Sequence, residues 1–193
     1  MKFISFFLSF FITASLIILL NVPIDNIPPI GKFLSPHQGF WQNSEKEAID
    51  LAPSIDLMAL KDEVTVQFDE LLIPHIKAKN NEDLYMAQGY VTAYHRLWQM
   101  DFYARVVMGR LSEVVGIKAL NYDRLQRRLG LKDMTLKLHN LLMNDPYYGP
   151  LISAYTNGVN AYIASLSPSD YPIEFKLLSY KPEKWTTAKT CMS

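Results

Sequence analysis

Histidine moves protons and binds metals most readily near neutral pH, and this chain carries four: His37, His75, His95 and His139. None is spaced with a second histidine as a metal pair would be, and there is neither an HExxH helix nor a paired CxxC. His75 follows Pro74 in an extended run, where a hydrogen-bonded structural role is expected. His95, between Tyr94 and Arg96 in a helical stretch, reads as a satisfied helix residue. His37 and His139 have no partner that the sequence names. The single thiol, Cys191, is followed only by Met192 and Ser193, too little scaffold to orient a nucleophile. Absence of G-x-S-x-G, Walker A and GxGxxG motifs removes the common hydrolase-elbow and nucleotide readings. Arg110 and Glu113 read as structural charge partners near a helix end. No catalytic, substrate-binding or metal-binding residue is assigned on this chain.

The elements around these residues are legible from their period. Glu63–Phe68 alternates, placing Val64, Val66 and Phe68 on one strand face, and Ile73–Ala78 forms a second extended segment with Pro74 at a start or edge. Together they form a hairpin or meander. Asn81 reads as the N-cap of a helix whose stripe is Leu84, Ala87, Val91, Tyr94, Trp98 and Phe102. Gly109 and Gly116 limit its continuation. An amphipathic stretch from Asp123 to Met143 is broken or weakened at Gly130. A later helix opens at Pro150, buries Leu151, Tyr155, Val159, Tyr162 and Leu166, and stops before Pro168. The region around Phe175, Tyr180 and Trp185 reads as an extended, packed connection. The fold class is α+β: a hairpin followed by several helices.

Ahead of this body, residues 3–20 contain no charge. Lys2 precedes the run, and no small-x-small site stands before Asn21-Val22-Pro23. Residues 1–22 therefore read as a signal peptide or N-terminal membrane anchor, the length favouring an uncleaved anchor with the remainder outside the cytoplasm. Residues 23–62, with Pro23, Pro28, Pro29, Pro36 and Pro53, form a Pro-rich extended spacer, and residues 63–193 form the globular region. Equal numbers of acidic and basic residues, 19 each, argue against nucleic acid as a partner. One cysteine leaves the redox compartment unread.

Taken in order, these residues resemble the opening of the penicillin acylase (penicillin amidase) family of N-terminal-nucleophile hydrolases. Asp69-Glu70 with Pro74-His75-Ile76 is similar to its D-E-x-G-x-P-H-I element. Asp83-Leu84, Gly89-Tyr90-Val91, Ala93, Arg96-Leu97-Trp98-Gln99-Met100 and Gly109-Arg110-Leu111-Ser112-Glu113 follow, then Gly116, Asp123 and Arg128. Tyr155-Thr156-Asn157-Gly158-Val159-Asn160-Ala161-Tyr162 resembles Y-x-x-G-x-N-A. Glu174-Phe175 and Tyr180-Lys181-Pro182-Glu183-Lys184-Trp185 resemble E-F-x-x-x-x-Y-x-P-x-x-W. The series spans Val64 to Trp185, and its specificity lies in the order rather than in any one piece.

The resemblance implies an αββα sandwich, of which this is an N-terminal α-chain fragment, and an exported, periplasmic precursor that cleaves itself into α and β chains. Its nucleophile would be the first β-chain residue, hydrolysing N-acyl amides such as β-lactam side chains or acyl-homoserine lactones. The partners implied are the β-chain region of the same precursor, a small N-acyl amide, and a membrane through residues 3–20. No cofactor is implied for this stretch; calcium belongs, if anywhere, to the complete protein. Gly158 should permit close helix packing, Trp98, Tyr155 and Trp185 should be buried, and Arg96, Gln99, Arg110 and Glu113 should be structural hydrogen-bond partners. There are departures. Leu72 replaces the usual Gly, which should make a positive φ harder to reach; His95 replaces an Asp; Lys189 replaces an Asp four residues after Trp185 and suggests a frameshift or truncation. The chain alone is expected to be inactive. The alternative is a membrane-tethered, non-catalytic remnant or interaction module.

Overall fold

The computed structural model describes residues 2–23, 28–44 and 60–192. Residues 45–59 of the expected spacer, Pro53 among them, lie outside the described residues. The chain divides into two compact units: Met1–Lys46 with Ser167–Lys181, and Glu47–Leu166 with Pro182–Ser193.

The first unit begins with α1 (Lys2–Asn21). Its Phe, Leu and Ile residues, interspersed with Ser5, Ser9, Thr13, Ala14 and Ser15, include no helix breaker, and none of its described side chains is buried. The 19 residues from Phe3 to Asn21 reach about 28 Å at ~1.5 Å per residue, close to the ~30 Å hydrocarbon layer. That length suits a spanning helix or a signal sequence. Past the helix the chain turns back, and the Gly31 N–H donates to the Leu20 carbonyl at 2.8 Å. Phe33 stacks on Phe40, with centroids 5.2 Å apart, ahead of α2 (Trp41–Ser44). The later segment carries α8 (Ile173–Leu177), so part of the stretch expected to be extended is helical. Pro172 sits at its N-cap with φ −46° and ψ 143°, a place where proline's missing N–H costs nothing. Phe175 is fully buried against Tyr180. The buried Lys176 ammonium donates to the Gly39 carbonyl (3.0 Å), Asn43 Oδ1 (2.6 Å) and the Ser169 carbonyl (2.9 Å).

In the second unit the hairpin is as expected: β1 (Thr65–Phe68) pairs antiparallel with β2 (Pro74–Lys77), Val66 opposite Ile76 and Phe68 opposite Pro74. Asp69 braces the connection. Its Oδ1 accepts the Leu71 and Ile73 N–H groups, both at 2.9 Å, and its Oδ2 lies 3.2 Å from His75 Nε2. Leu72 nevertheless adopts φ 61°. The glycine-to-leucine departure leaves the left-handed turn in place, with a side chain that this conformation disfavours.

The 28-residue α3 (Asn81–Met108) is the spine of the unit. Its N-cap is Asn80, one residue earlier than expected: Asn80 Oδ1 accepts the Asp83 N–H at 2.9 Å, and the buried Asp83 carboxylate accepts the Lys61 and Asp62 N–H groups. Gly109, at φ 60°, ends the helix. α4 (Ser112–Val115), a 3-10 turn at Ile117–Ala119 and α5 (Leu120–Leu129) follow, then α6 (Leu131–Met143), with Gly130 at φ 68° separating α5 from α6. α7 (Tyr148–Ser165) starts two residues before Pro150, and α9 (Thr187–Thr190) closes the described chain.

The buried face of α3 is Met86, Ala87, Gly89, Ala93, Leu97, Met100 and Ala104, not the expected larger stripe. Of that stripe only Ala87 is buried, and Tyr94 is exposed. The cause is the partner. α7 packs on α3 with Leu151, Thr156, Gly158 and Val159 among its buried residues, and at Gly89 and Gly158 the two backbones approach so closely that a larger residue does not fit. A Cβ on Gly89 would run into the Tyr155 carbonyl, and one on Gly158 into the Met86 carbonyl. A kink at Arg96, φ −138°, also shifts the face along the helix. Trp185 is buried as expected, whereas Trp98 and Tyr155 are only half-buried.

Candidate functional site

The densest polar chemistry in the second unit is an ion cluster on the C-terminal half of α3. Arg105 and Asp101 are one helical turn apart and meet at 2.7 Å, with 4% and 3% of their side chains exposed. The Arg105 guanidinium also reaches Glu113 at 3.0 Å and Glu183 at 2.8 Å. Arg110 joins the same two glutamates at 2.7 and 2.9 Å, so the expected Arg110–Glu113 pair is one edge of a larger network. Lys189 completes it, its Nζ 3.0 Å from Glu183 and 3.7 Å from Asp101, lying over the Trp185 ring.

Three cations thus face three carboxylates. Burial opposes ionisation of Glu183, but hydrogen bonds from Arg110 and Lys189 overcome it and bring its pKa down to about 2. Arg110, bonded first of all to Glu113, is held above the ordinary guanidinium range, and that same bond pulls Glu113 down. Glu183, Glu113 and Arg110 therefore neither give nor take a proton near neutrality. The cluster is a fastener: it ties the turn after α3 and the stretch before α9 to the spine.

A second fastener sits beside it. The buried Asp123 carboxylate on α5 accepts the Leu111 N–H at 2.8 Å, the Ser112 N–H at 2.7 Å and the Ser112 hydroxyl, satisfying the free donors at the start of α4. A third joins two of the quoted motifs. Asn160 and Trp185 exchange hydrogen bonds, Trp185 N–H to Asn160 Oδ1 and Asn160 Nδ2–H to the Trp185 carbonyl, both 2.9 Å. Trp185 Nε1 donates to Thr190, which bonds Thr156 on α7.

A cavity of about 300 Å³ in this unit is lined by Tyr85, Gln88, Tyr148, Leu151, Ile152, Tyr155 and Thr190. Burial raises the pKa of the Tyr155 phenol, and no base lines the cavity among the described residues. Outside it, His75 is bonded to Asp69, His139 Nε2 lies 2.9 Å from Thr187 Oγ1, and His95 packs edge-on against Phe68. Burial, then the neighbouring Arg96, lower the His95 pKa. Cys191 is half-buried, and burial raises its thiol pKa, the opposite of activation. Arg96 and Gln99 bond one another at 3.0 Å. Among the described residues, no three His, Cys, Asp or Glu side chains form a metal-ligand group.

Asp101, Arg105 and Glu183 are the fasteners that motif reading passed over. The i, i+4 spacing of Asp101 and Arg105 was the available signal; nothing local points to Glu183 or Lys189 as their partners. Asp69, His75, Arg110, Glu113, Asp123, Asn160 and Trp185 of the quoted motifs are thus engaged in bonds within the chain. The profile of the penicillin amidase family matches residues 63–193, which contain every one of these bonds. The chain belongs to the penicillin amidase family. It is 39% identical over 135 residues to penicillin acylase 2 proenzyme of Pseudomonas sp. (strain SE83), covering 70% of this chain and 17% of that protein. It is 31% identical over 143 residues to acyl-homoserine lactone acylase QuiP of Pseudomonas syringae pv. syringae, covering 74% and 17% respectively. Among solved structures, thermostable penicillin G acylase from Alcaligenes faecalis superposes with a TM-score of 0.60 at 25% identity, over 67% of this chain and 69% of that one. The chain spans about 17% of the length of these two curated relatives. Among the described residues of this penicillin amidase family member, the many helices with one antiparallel hairpin make an α+β arrangement.

Proposed function

We propose that this chain is the N-terminal α-chain part of an exported amidohydrolase precursor that cleaves N-acyl amides, β-lactam side chains or acyl-homoserine lactones. In this reading residues 63–193 are one end of an αββα sandwich, α1 delivers the protein to the periplasmic side and anchors it in the inner membrane, and the β-chain region supplies the nucleophile. The observation that carries it is the family match over 63–193 combined with coverage of only 17% of the acylase relatives. Exposed apolar side chains support the same view. Met134, Leu138 and Leu141 recur at i, i+4, i+7 on α6, at 65%, 48% and 72% exposure, a face that the rest of a larger body would cover.

The chain by itself is then a scaffold and does not turn over substrate. The test is to assay the purified chain, alone and co-expressed with a downstream Ser-initiated segment from the same genomic locus, on a chromogenic phenylacetyl amide and on a long-chain acyl-homoserine lactone. Activity only in the combined sample is expected. Turnover by the chain alone, or no downstream segment of that kind, would sink the proposal. A sharp thermal transition in the chain lacking α1 would favour a self-sufficient, non-catalytic module instead.

A further inference from the structure

The first unit holds a cavity that the acylase reading leaves unused. It has about 390 Å³ and is lined by Lys32, Lys176 and Lys181, by Ser35, Gln38 and Ser179, and by Tyr171, Tyr180 and Phe175; among the described residues no carboxylate lines it. Its walls are fixed by backbone. Leu34 N–H bonds the Ile30 carbonyl, Gly39 N–H the Ser35 carbonyl and Phe40 N–H the Phe33 carbonyl, knitting residues 30–40 into one knot. Lys176 and Asn43 then tie that knot to the Ser169–Tyr171 wall.

The cavity's position relative to α1 is also fixed. Gly31, whose N–H bonds the Leu20 carbonyl 2.8 Å away, immediately precedes the lining residue Lys32. The lysines therefore gather where the apolar helix ends. With α1 in a bilayer, that level is the headgroup layer, where lipid phosphates lie just outside the ~30 Å hydrocarbon core. Phe33 stacked on Phe40 at 5.2 Å, and Trp41 tilted against Phe40 at 4.2 Å, stand beside it with Trp41 47% exposed. Aromatic side chains at such a level are interface anchors, and a lysine close to an anionic lipid surface is attracted to it.

We propose that this cavity is a phosphate site occupied by the headgroup of an anionic phospholipid. Lys32 and Lys181 supply the mobile cations, the Ser35 and Ser179 hydroxyls hydrogen-bond the phosphate oxygens, and Lys176 holds the floor. This rests on α1 remaining in the membrane as proposed above.

The full chain is placed in detergent with equimolar phosphatidylglycerol and phosphatidylcholine, and bound lipid is counted by native mass spectrometry. Phosphatidylglycerol adducts are expected to exceed phosphatidylcholine adducts about tenfold, the effect of one to two interfacial lysine charges. Lys32→Gln with Lys181→Gln brings the ratio close to one. Lys32→Arg with Lys181→Arg keeps it, as does Lys132→Gln with Lys137→Gln away from the cavity. Equal adducts on the unaltered chain, or an undiminished preference in the Lys32→Gln/Lys181→Gln protein, overturn the site. Excess inorganic phosphate leaves the lipid in place if a headgroup is the ligand; displacement assigns the cavity to free phosphate and overturns the lipid. Alkali extraction from phosphatidylglycerol vesicles reads α1 separately. Release of the chain there, with the lysine-dependent preference intact in detergent, overturns the anchor and not the anion site.

Discussion

Arg105 on α3 and Glu183 ahead of α9 meet at 2.8 Å, the guanidinium 4% exposed and the carboxylate 37% exposed. Through this contact the Pro182–Ser193 stretch is held on a helix made much earlier in the chain. Glu183→Gln should lower stability at pH 7 by about 1–2 kcal/mol, less than a fully buried pair would give because water screens the exposed side. The pH dependence carries a definite sign. Because the folded-state pKa is depressed from 4.5 to about 2, the contribution is complete above the unfolded value and is lost as pH falls through that window. Denaturant titrations at pH 7 and pH 2 should show the difference between the two proteins closing at the lower pH.

The α3–α7 crossing yields a steric prediction. Gly89→Ala and Gly158→Ala each place a methyl against a carbonyl of the opposite helix, so either should destabilise by about 3 kcal/mol or more, outweighing alanine's ~1 kcal/mol helix advantage. The double variant should lose less than the sum, since both act on one crossing. Thermal melts of the full chain in detergent test this; a loss below about 1 kcal/mol for either variant would contradict it.

At Leu72 the expected change is a gain. The residue is 48% exposed, so glycine removes little buried surface there, while it relieves about 1–2 kcal/mol of left-handed backbone cost. Greater unfolded-state freedom offsets part of that. Leu72→Gly should therefore stabilise by about 0.5–1 kcal/mol, seen as a higher denaturation midpoint at unchanged slope.

Asp123→Ala should uncouple α4 from α5. Removing a carboxylate that accepts two backbone N–H groups and a hydroxyl costs about 2–3 kcal/mol. Hydrogen exchange should locate the damage: the Leu111 and Ser112 amides lose protection while the centre of α3 keeps its own.

What the sequence disclosed follows the range of each interaction. The hairpin and the Gly109 and Gly130 breaks rest on neighbours within a few residues, and they were legible; of the expected α7 face, Leu151, Val159 and Tyr162 are buried while Tyr155 and Leu166 are only half-buried. The buried face of α3 was not, because Ala93 and Gly89 are selected by a backbone supplied from residues 155–158. Likewise Lys189 looked foreign to its motif, yet with Asp101, Arg105, Arg110, Glu113 and Glu183 it makes a cluster of balanced charge. Pro172 and Pro182 disguised α8, since prolines at both ends of a segment suggest extension as readily as a bounded helical turn. Of the ion cluster, only the Arg110–Glu113 edge was visible beforehand, its partners lying three residues apart like the bonded Arg96–Gln99 pair.

The Lys176 ammonium and the Gly39 carbonyl it binds are 137 positions apart. A ribosome adding about 5–20 residues per second needs on the order of ten seconds between making the one and making the other. Throughout that interval residues 30–40, though knit by their own backbone bonds, lack the cation that joins the Gly39 carbonyl to Asn43 and Ser169. The order of synthesis thus makes the closing of the first unit a late event, one that waits for most of the chain to be made.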